Sequence, residues 1–238
     1  GVVIGTSVGG VTAMFAGYDV LKSAGPRRVS PWVAPMMMPN APSAAIAITY
    51  GLRGPNFAVS SACASGSHAI GEAGEMIKAG RAPVVLTGGA ETAIGELAVS
   101  GFANMGALSK RNGEPQRASR PFDAERDGFV LGEGAGLMVL ESLEHARKRG
   151  ARIYAELAGY AATSDAFHVT APDEEGSGAA RTMQLALASS GLQAEDIGYI
   201  NAHGTSTQLN DVTETRAIRK VFGSHADNLL VSSTKSMT

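Results

Sequence analysis

A chain of 238 residues is long enough for one large domain or two closely fused halves with a well-buried core. Apolar residues make up 44%, charged residues 18%, and the formal charge is −2. These values exclude a disordered or fibrous chain and leave no electrostatic footprint for nucleic acid or an anionic membrane surface. The single cysteine, Cys63, excludes an internal disulfide. No apolar run approaches the ~20 residues that span a bilayer and no signal-peptide pattern is present, so the expected location is cytoplasmic.

Val2 to Ile4 reads as a buried strand that leaves through the glycine-rich turn Gly5-Thr6-Ser7-Val8-Gly9-Gly10. A helix marked by Val11, Met14, Phe15, Tyr18 and Leu21 follows and closes at Gly25-Pro26. The turn lacks both the phosphate-loop and the dinucleotide spacing, so it argues against a nucleotide site. From Val29 to Pro42 four prolines surround Trp32 and Met36-Met37-Met38, a rigid apolar loop that packs in the core or lines an acyl or partner-chain contact. Asn40 and Pro42 begin a helix that runs through Tyr50 and ends at Gly51.

The next stretch, Asn56 to Gly80, organises the rest. A short strand over Phe57–Ser61 passes through Ala62-Cys63-Ala64 into a helix with Ala69, Ile70, Ala73, Met76 and Ile77 at helical spacing. Its glycines, Gly66, Gly71 and Gly74, predict close backbone packing. Cys63 is placed at the first helical turn, where unpaired N–H groups and the helix dipole favour a thiolate; the alternative is a small buried hydrophobe. Val84–Thr87 returns as a buried strand, so the cysteine lies at the carboxyl end of a strand in a β-helix-β unit, the edge where ligands bind in open sheets.

A helix around Ile94–Met105 comes next, then a charged segment from Lys110 to Asp127 that reads as a solvated, salt-bridged loop. Gly132–Gly136 leads into a strand through Leu140, and Ser142 caps a short helix ending at Gly150. A break there divides the chain into halves 1–150 and 151–238. The second half reads as strand Ile153–Ala161, helix Ala179–Ser189, strand Tyr199-Ile200, helix Val212–Phe222 and strand Leu229–Ser232. This alternation predicts an α/β fold whose strands are mostly parallel and covered by helices on both faces.

Two more strand ends carry polar groups. His203 follows the strand ending at Asn201, with Thr205 and Thr207 beside it and Asn210 or Asp211 expected to cap the next helix; Lys235 follows the strand ending at Ser232. Parallel strands put their carboxyl ends on one edge, so Cys63, His203 and Lys235 could converge there. His68 lies five residues after Cys63, about 140° around a helix, and is not expected to pair with it. His145 and His225 read as surface residues, and His168 stays open. No cysteine and histidine spacing matches a metal site.

Four ordered blocks carry a family resemblance: Ser60-Ser61-Ala62-Cys63-Ala64-Ser65-Gly66, Arg120-Pro121-Phe122-Asp123 through Arg126-Asp127-Gly128-Phe129, Asn201-Ala202-His203-Gly204-Thr205-Ser206-Thr207 and Ser232-Ser233-Thr234-Lys235-Ser236-Met237-Thr238. They resemble the β-ketoacyl synthases, and with Asp165-Ala166-Phe167-His168 the type II enzymes of fatty-acid synthesis, aromatic polyketide ketosynthases being near relatives. The resemblance implies a thiolase-like fold of two βαβ-type halves in layers, a homodimer, and a decarboxylating Claisen condensation. It implies that Cys63 takes an acyl group from acyl carrier protein, whose own 4'-phosphopantetheine bears the acyl and malonyl thioesters, so that the chain itself holds no cofactor and no metal. His203 would promote decarboxylation and stabilise the enolate. Lys235 would organise a charge network with Asp211 and Glu214. Thr205 and Thr207 would bond the pantetheine arm, and the Cys63 N–H would supply half of an oxyanion hole.

The chain begins inside a strand pattern without methionine and stops just after a strand, so it reads as a piece of a longer protein. The family's second histidine and the segment completing the oxyanion hole would lie beyond Thr238, and condensation is expected of the full-length protein and not of this chain alone. Two rivals are a cysteine hydrolase built from Cys63, His203 and Asp211 and a non-catalytic scaffold subunit.

Overall fold

The computed structural model describes all 238 residues, Gly1–Thr238. In chain order the elements are β1 (Val2–Gly5), α1 (Val11–Ala24), α2 (Val33–Met37), α3 (Ala41–Tyr50), β2 (Asn56–Val59), α4 (Ser65–Lys78), β3 (Val84–Glu91), α5 (Glu96–Asn104), β4 (Gly134–Glu141), α6 (Leu143–Lys148), α7 (Ser177–Ser190), β5 (Tyr199–Asn201), α8 (Gln208–Phe222) and β6 (Leu230–Ser232). No helix is long and apolar enough to cross a membrane. Packing divides the chain into two compact units, Gly1–Gly95 with Gly132–Glu156, and Glu96–Leu131 with Leu157–Thr238. Residues 96–131, most of the segment between β3 and β4, therefore group with the second unit.

The first unit is built on a four-stranded sheet in the order β2-β1-β3-β4. β1 pairs in parallel with β2, Val2 opposite Asn56, and with β3, Val2 opposite Leu86. Helix α4 lays its apolar stripe on this parallel part, and Ala69, Ala73 and Met76 form the core with Val3, Ala82 and Val85. The glycines expected to permit close packing do so. A Cβ on Gly5 would stand 2.2 Å from the Ser65 carbonyl carbon and oxygen, and Gly66 and Gly89 approach so closely that a Cβ on either would touch the other's backbone.

The strand pairings are mostly parallel, as expected, and β4 is the exception. β4 runs antiparallel to β3, from Val84 opposite Glu141 to Glu91 opposite Gly134. It is also not covered on both faces: six of its eight residues are exposed, and Leu137, Met138 and Val139 are each about half accessible. An outer antiparallel strand has one neighbour and no crossover helix to cover it. The proline-rich segment also differs from a plain loop, since it carries a helical turn over Pro26–Arg28 and α2. Its Trp32 (67% accessible) and Met36–Met38 are exposed, which removes the core-packing reading for this chain.

In the second unit β5 and β6 pair in parallel, with Tyr199, Ile200 and Asn201 opposite Leu230, Val231 and Ser232. Helices α7 and α8 pack together there, and Phe102 meets Phe129 edge-on at 5.2 Å. The strand expected over Ile153–Ala161 does not form. Its apolar residues suit a strand, but no segment of this chain supplies a ladder to it, and Ile153 and Tyr154 stay exposed. Helix α8 begins at Gln208 because Thr207, not Asn210 or Asp211, is its cap: the Thr207 hydroxyl accepts from Asn210 N–H at 3.4 Å.

Candidate active site

Cys63 sits in a tight turn between β2 and α4. Ala62 takes the left-handed conformation at φ +50°, a strain of about 1 kcal/mol or more for a residue with a Cβ. The neighbours hold it there. Ser61 N–H donates to Ser65 Oγ at 2.9 Å, and Ser65 Oγ–H donates to the Ala62 carbonyl at 2.7 Å. Ser61 Oγ meets His68 Nδ1 at 2.6 Å, so His68 serves the turn through Ser61. Cys63 is exposed and stands just before Ala64, the cap of α4. It is thus one step outside the first helical turn in which the sequence placed it, and it is not a buried hydrophobe. Its N–H has no acceptor within the protein.

The glycine-rich turn after β1 has a different use from phosphate binding. The Glu91 carboxylate, at the end of β3, accepts from Ser7 N–H at 2.6 Å, Val8 N–H at 3.3 Å, Thr6 Oγ1–H at 3.1 Å and the Ser7 hydroxyl. The amides that an anionic ligand would need are occupied by the chain's own anion.

The second unit brings His203 and Lys235 to the ends of adjacent strands. Ala202 N–H donates to Ser232 O at 2.8 Å, and Thr234 N–H donates to Asn201 Oδ1 at 3.2 Å. Glu214, nearly two turns into α8, accepts from the N–H groups of His203 at 2.6 Å and Gly204 at 2.8 Å, which fixes the loop between strand and helix. Thr205 and Thr207 join hydroxyl to hydroxyl at 2.8 Å. His203 borders a cavity of about 210 Å³ lined also by Asp165, Asp173, Asn210 and Glu214.

No ion pair joins Asp211 or Glu214 to Lys235, although the charges of all three act on the His203 imidazole. Asp211 instead accepts from Phe122 N–H at 2.7 Å and Asn210 Nδ2–H at 3.1 Å, and it forms an ion pair with Arg126 Nε at 3.3 Å. The Arg126 guanidinium also donates to the carbonyls of Thr207, Asp123 and Gln208 at 2.9–3.0 Å. Its side chain is 9% accessible and that of Asp211 is 1%. The charged segment read as a solvated loop thus supplies a buried arginine. Charge density hid it, whereas the block Arg120 to Phe129 was the signal that could have found it.

The His203 imidazole is held below its ordinary pKa, first by the loss of surrounding water and then by the positive charge of Lys235; Glu214 and Asp211 oppose the shift. The shift favours the neutral imidazole even though part of its surface meets solvent. NMR titration of the His203 ring protons is expected to give a midpoint below about 6.5, raised by Lys235→Met and lowered further by Glu214→Gln. A midpoint that Lys235→Met leaves in place would remove the lysine as a cause. Because the unfolded chain takes up this proton first as pH falls, His203 costs stability below about pH 6.5 and nothing well above it.

No three His, Cys, Asp or Glu side chains are grouped to hold a metal ion. Residues 1–146 match the model for the N-terminal domain of β-ketoacyl synthase, and residues 154–238 match that for its C-terminal domain. The chain is 53% identical over all its 238 residues to 3-oxoacyl-[acyl-carrier-protein] synthase 2 of Synechocystis and covers 57% of that protein; the corresponding figures for Vibrio cholerae are 50% and 58%. The chain therefore spans less than two thirds of the length of the curated relatives it matches.

Among solved structures, a β-ketoacyl synthase from Burkholderia phymatum superposes with a TM-score of 0.90 at 44% identity, over 99% of this chain and 56% of that one. A type II PKS acyl-carrier protein in complex with its ketosynthase bound to the hexaketide gives 0.95 at 37%, over 100% of this chain and 60% of that one. The fold is the thiolase-like fold of these ketosynthases. With both domain models matched in order along its length, the chain belongs to the β-ketoacyl synthase family.

Proposed function

We propose that the protein containing this chain is a β-ketoacyl-[acyl carrier protein] synthase of fatty-acid synthesis. The observation that carries this reading is identity of about half the residues, over the whole chain, to 3-oxoacyl-[acyl-carrier-protein] synthase 2 in several bacteria. The partner is acyl carrier protein, whose pantetheine thiol bears the substrates; a similar ketosynthase solved with its carrier protein supports this. Residues 1–150 act as the nucleophile half and residues 151–238 as the start of the second half.

The Cys63 sulfur attacks the acyl thioester carbonyl and expels the carrier thiol, giving an acyl-Cys63 thioester. Its exposure and its unpartnered N–H, free to donate to the developing oxyanion, support this role. A malonyl thioester then loses CO₂, and the enolate carbon attacks the acyl-Cys63 carbonyl, forming the new C–C bond and releasing the Cys63 thiolate. His203, held neutral, keeps one ring N–H to donate to the enolate oxygen. Lys235 acts as a positive charge that keeps the imidazole neutral, Asp211 and Glu214 hold the loop that carries His203, and Thr205 and Thr207 bond the pantetheine arm.

Intact mass spectrometry of the full-length protein with acyl-carrier protein is expected to give an acyl adduct that Cys63→Ala abolishes, and added malonyl-carrier protein to give a chain two carbons longer. Release of free acid alone would favour a cysteine hydrolase, and no adduct on folded protein a scaffold. A second reading, a polyketide ketosynthase, is favoured by the likeness to the type II PKS ketosynthase; repeated rather than single extension would distinguish it.

A further inference from the structure

We infer that Glu91 is a positioning residue for Cys63, acting through the turn after β1. This rests on the reading of Cys63 as the acyl acceptor. Glu91 ends β3 on the same sheet edge from which the turns after β1 and β2 leave. Its two oxygens collect four donors from three consecutive residues, Thr6, Ser7 and Val8. No cation pairs with it, since none of the ion pairs in the chain includes Glu91. Its charge is therefore satisfied by neutral donors alone, and a neutral side chain of the same shape would hold fewer of them.

What this ties together is the approach to the nucleophile. With Ser7 fixed by Glu91, the Ser7 carbonyl accepts from Ser60 Oγ–H at 3.0 Å. The Val59 carbonyl accepts from Thr6 N–H at 3.0 Å. Thr6 Oγ1 in turn accepts from Gly9 N–H at 3.2 Å, closing the turn on itself. Val59 and Ser60 are the last residues before Ser61 and the strained Ala62, so the end of β2 is held from one side by the Glu91-filled turn. Ser65 and His68 hold it from the other. The backbone that leads to Cys63 is thus clamped on both sides.

The test compares acyl transfer with simple alkylation in the full-length protein. The probes are a medium-chain acyl thioester of N-acetylcysteamine, followed by intact mass, and iodoacetamide. Glu91→Gln is expected to slow acylation at saturating thioester by about tenfold or more, as a misdirected nucleophile does. Alkylation, which needs no oxyanion geometry, should change by less than about twofold. Ser60→Ala, which leaves the Glu91 cluster in place, should slow acylation in the same sense, and the double variant should be no slower than Glu91→Gln alone. Acylation unchanged in folded Glu91→Gln, or single-variant effects that multiply in the double, would overturn the inference. Should Glu91→Gln not fold, unchanged acylation in Ser60→Ala overturns it. A parent whose Cys63 is alkylated but takes no acyl group overturns the acyl-acceptor reading and this inference with it. A parent and a Glu91→Gln variant that acylate equally remove only the role of Glu91.

Discussion

Replacing Arg126 with leucine is expected to lower the free energy of unfolding by about 3–5 kcal/mol, the cost of leaving one partner of a buried ion pair alone. Leucine keeps much of the apolar volume, so the loss comes from the Asp211 carboxylate and three stranded carbonyls. Asp211 is 2% accessible and retains only Phe122 N–H and Asn210 Nδ2–H. The carbonyls of Thr207, Gln208 and Asp123 lose their donor as well. Phe122 is held at φ +65° in the same segment, so the loop should loosen as well as the helix start. Denaturant titration measures the loss, and a change under about 1 kcal/mol would mean that the pair contributes like an exposed one. The double variant Arg126→Leu/Asp211→Leu should lose less than the sum of the singles, because neither leaves a charge behind.

The second large effect is expected at Gly5, where alanine should cost about 1–3 kcal/mol or more. Its Cβ would lie 2.2 Å from two backbone atoms of Ser65 and 2.5 Å from Gly66 N, none of which can swing aside as a side-chain tip could. Helix α4 must move outward. Ser65 is the residue that binds Ser61 and Ala62, so the displacement also spreads the Cys63 turn, and acyl adduct formation should fall together with stability. Gly134→Ala is the control, since nothing lies within 4 Å of a Cβ there. If both variants melt together with the parent, the close approach of strand and helix carries no such energy.

Much of this was legible in the sequence, for reasons that particular residues make plain. Helix α4 declared itself by the spacing of Ala69, Ala73 and Met76, which are all buried, and its glycines correctly pointed to a close backbone contact. Cys63, His203 and Lys235 were found at strand ends because each follows a short apolar run. The direction of β4 was not legible, because strand residues record which face is apolar but not which way the chain enters the sheet. The strand expected after Gly150 failed because apolar alternation cannot supply a hydrogen-bonding neighbour. The burial of Arg126 was misjudged because it depends on a partner, Asp211, 85 residues away. Glu91 was missed for a related reason: nothing local to Gly89-Ala90-Glu91 announces that its carboxylate will fill a turn at the other end of the unit's sequence.

The place of the thiol is set where backbone meets backbone. At Gly5 against Ser65 and at Gly66 against Gly89 no side chain intervenes, so the spacing of strand from helix is a property of the main chain. Exchanges of nearby side chains for larger or smaller ones cannot propagate through a contact that has none. A protein built this way can let the side chains around Cys63 drift over evolutionary time while the sulfur stays in place.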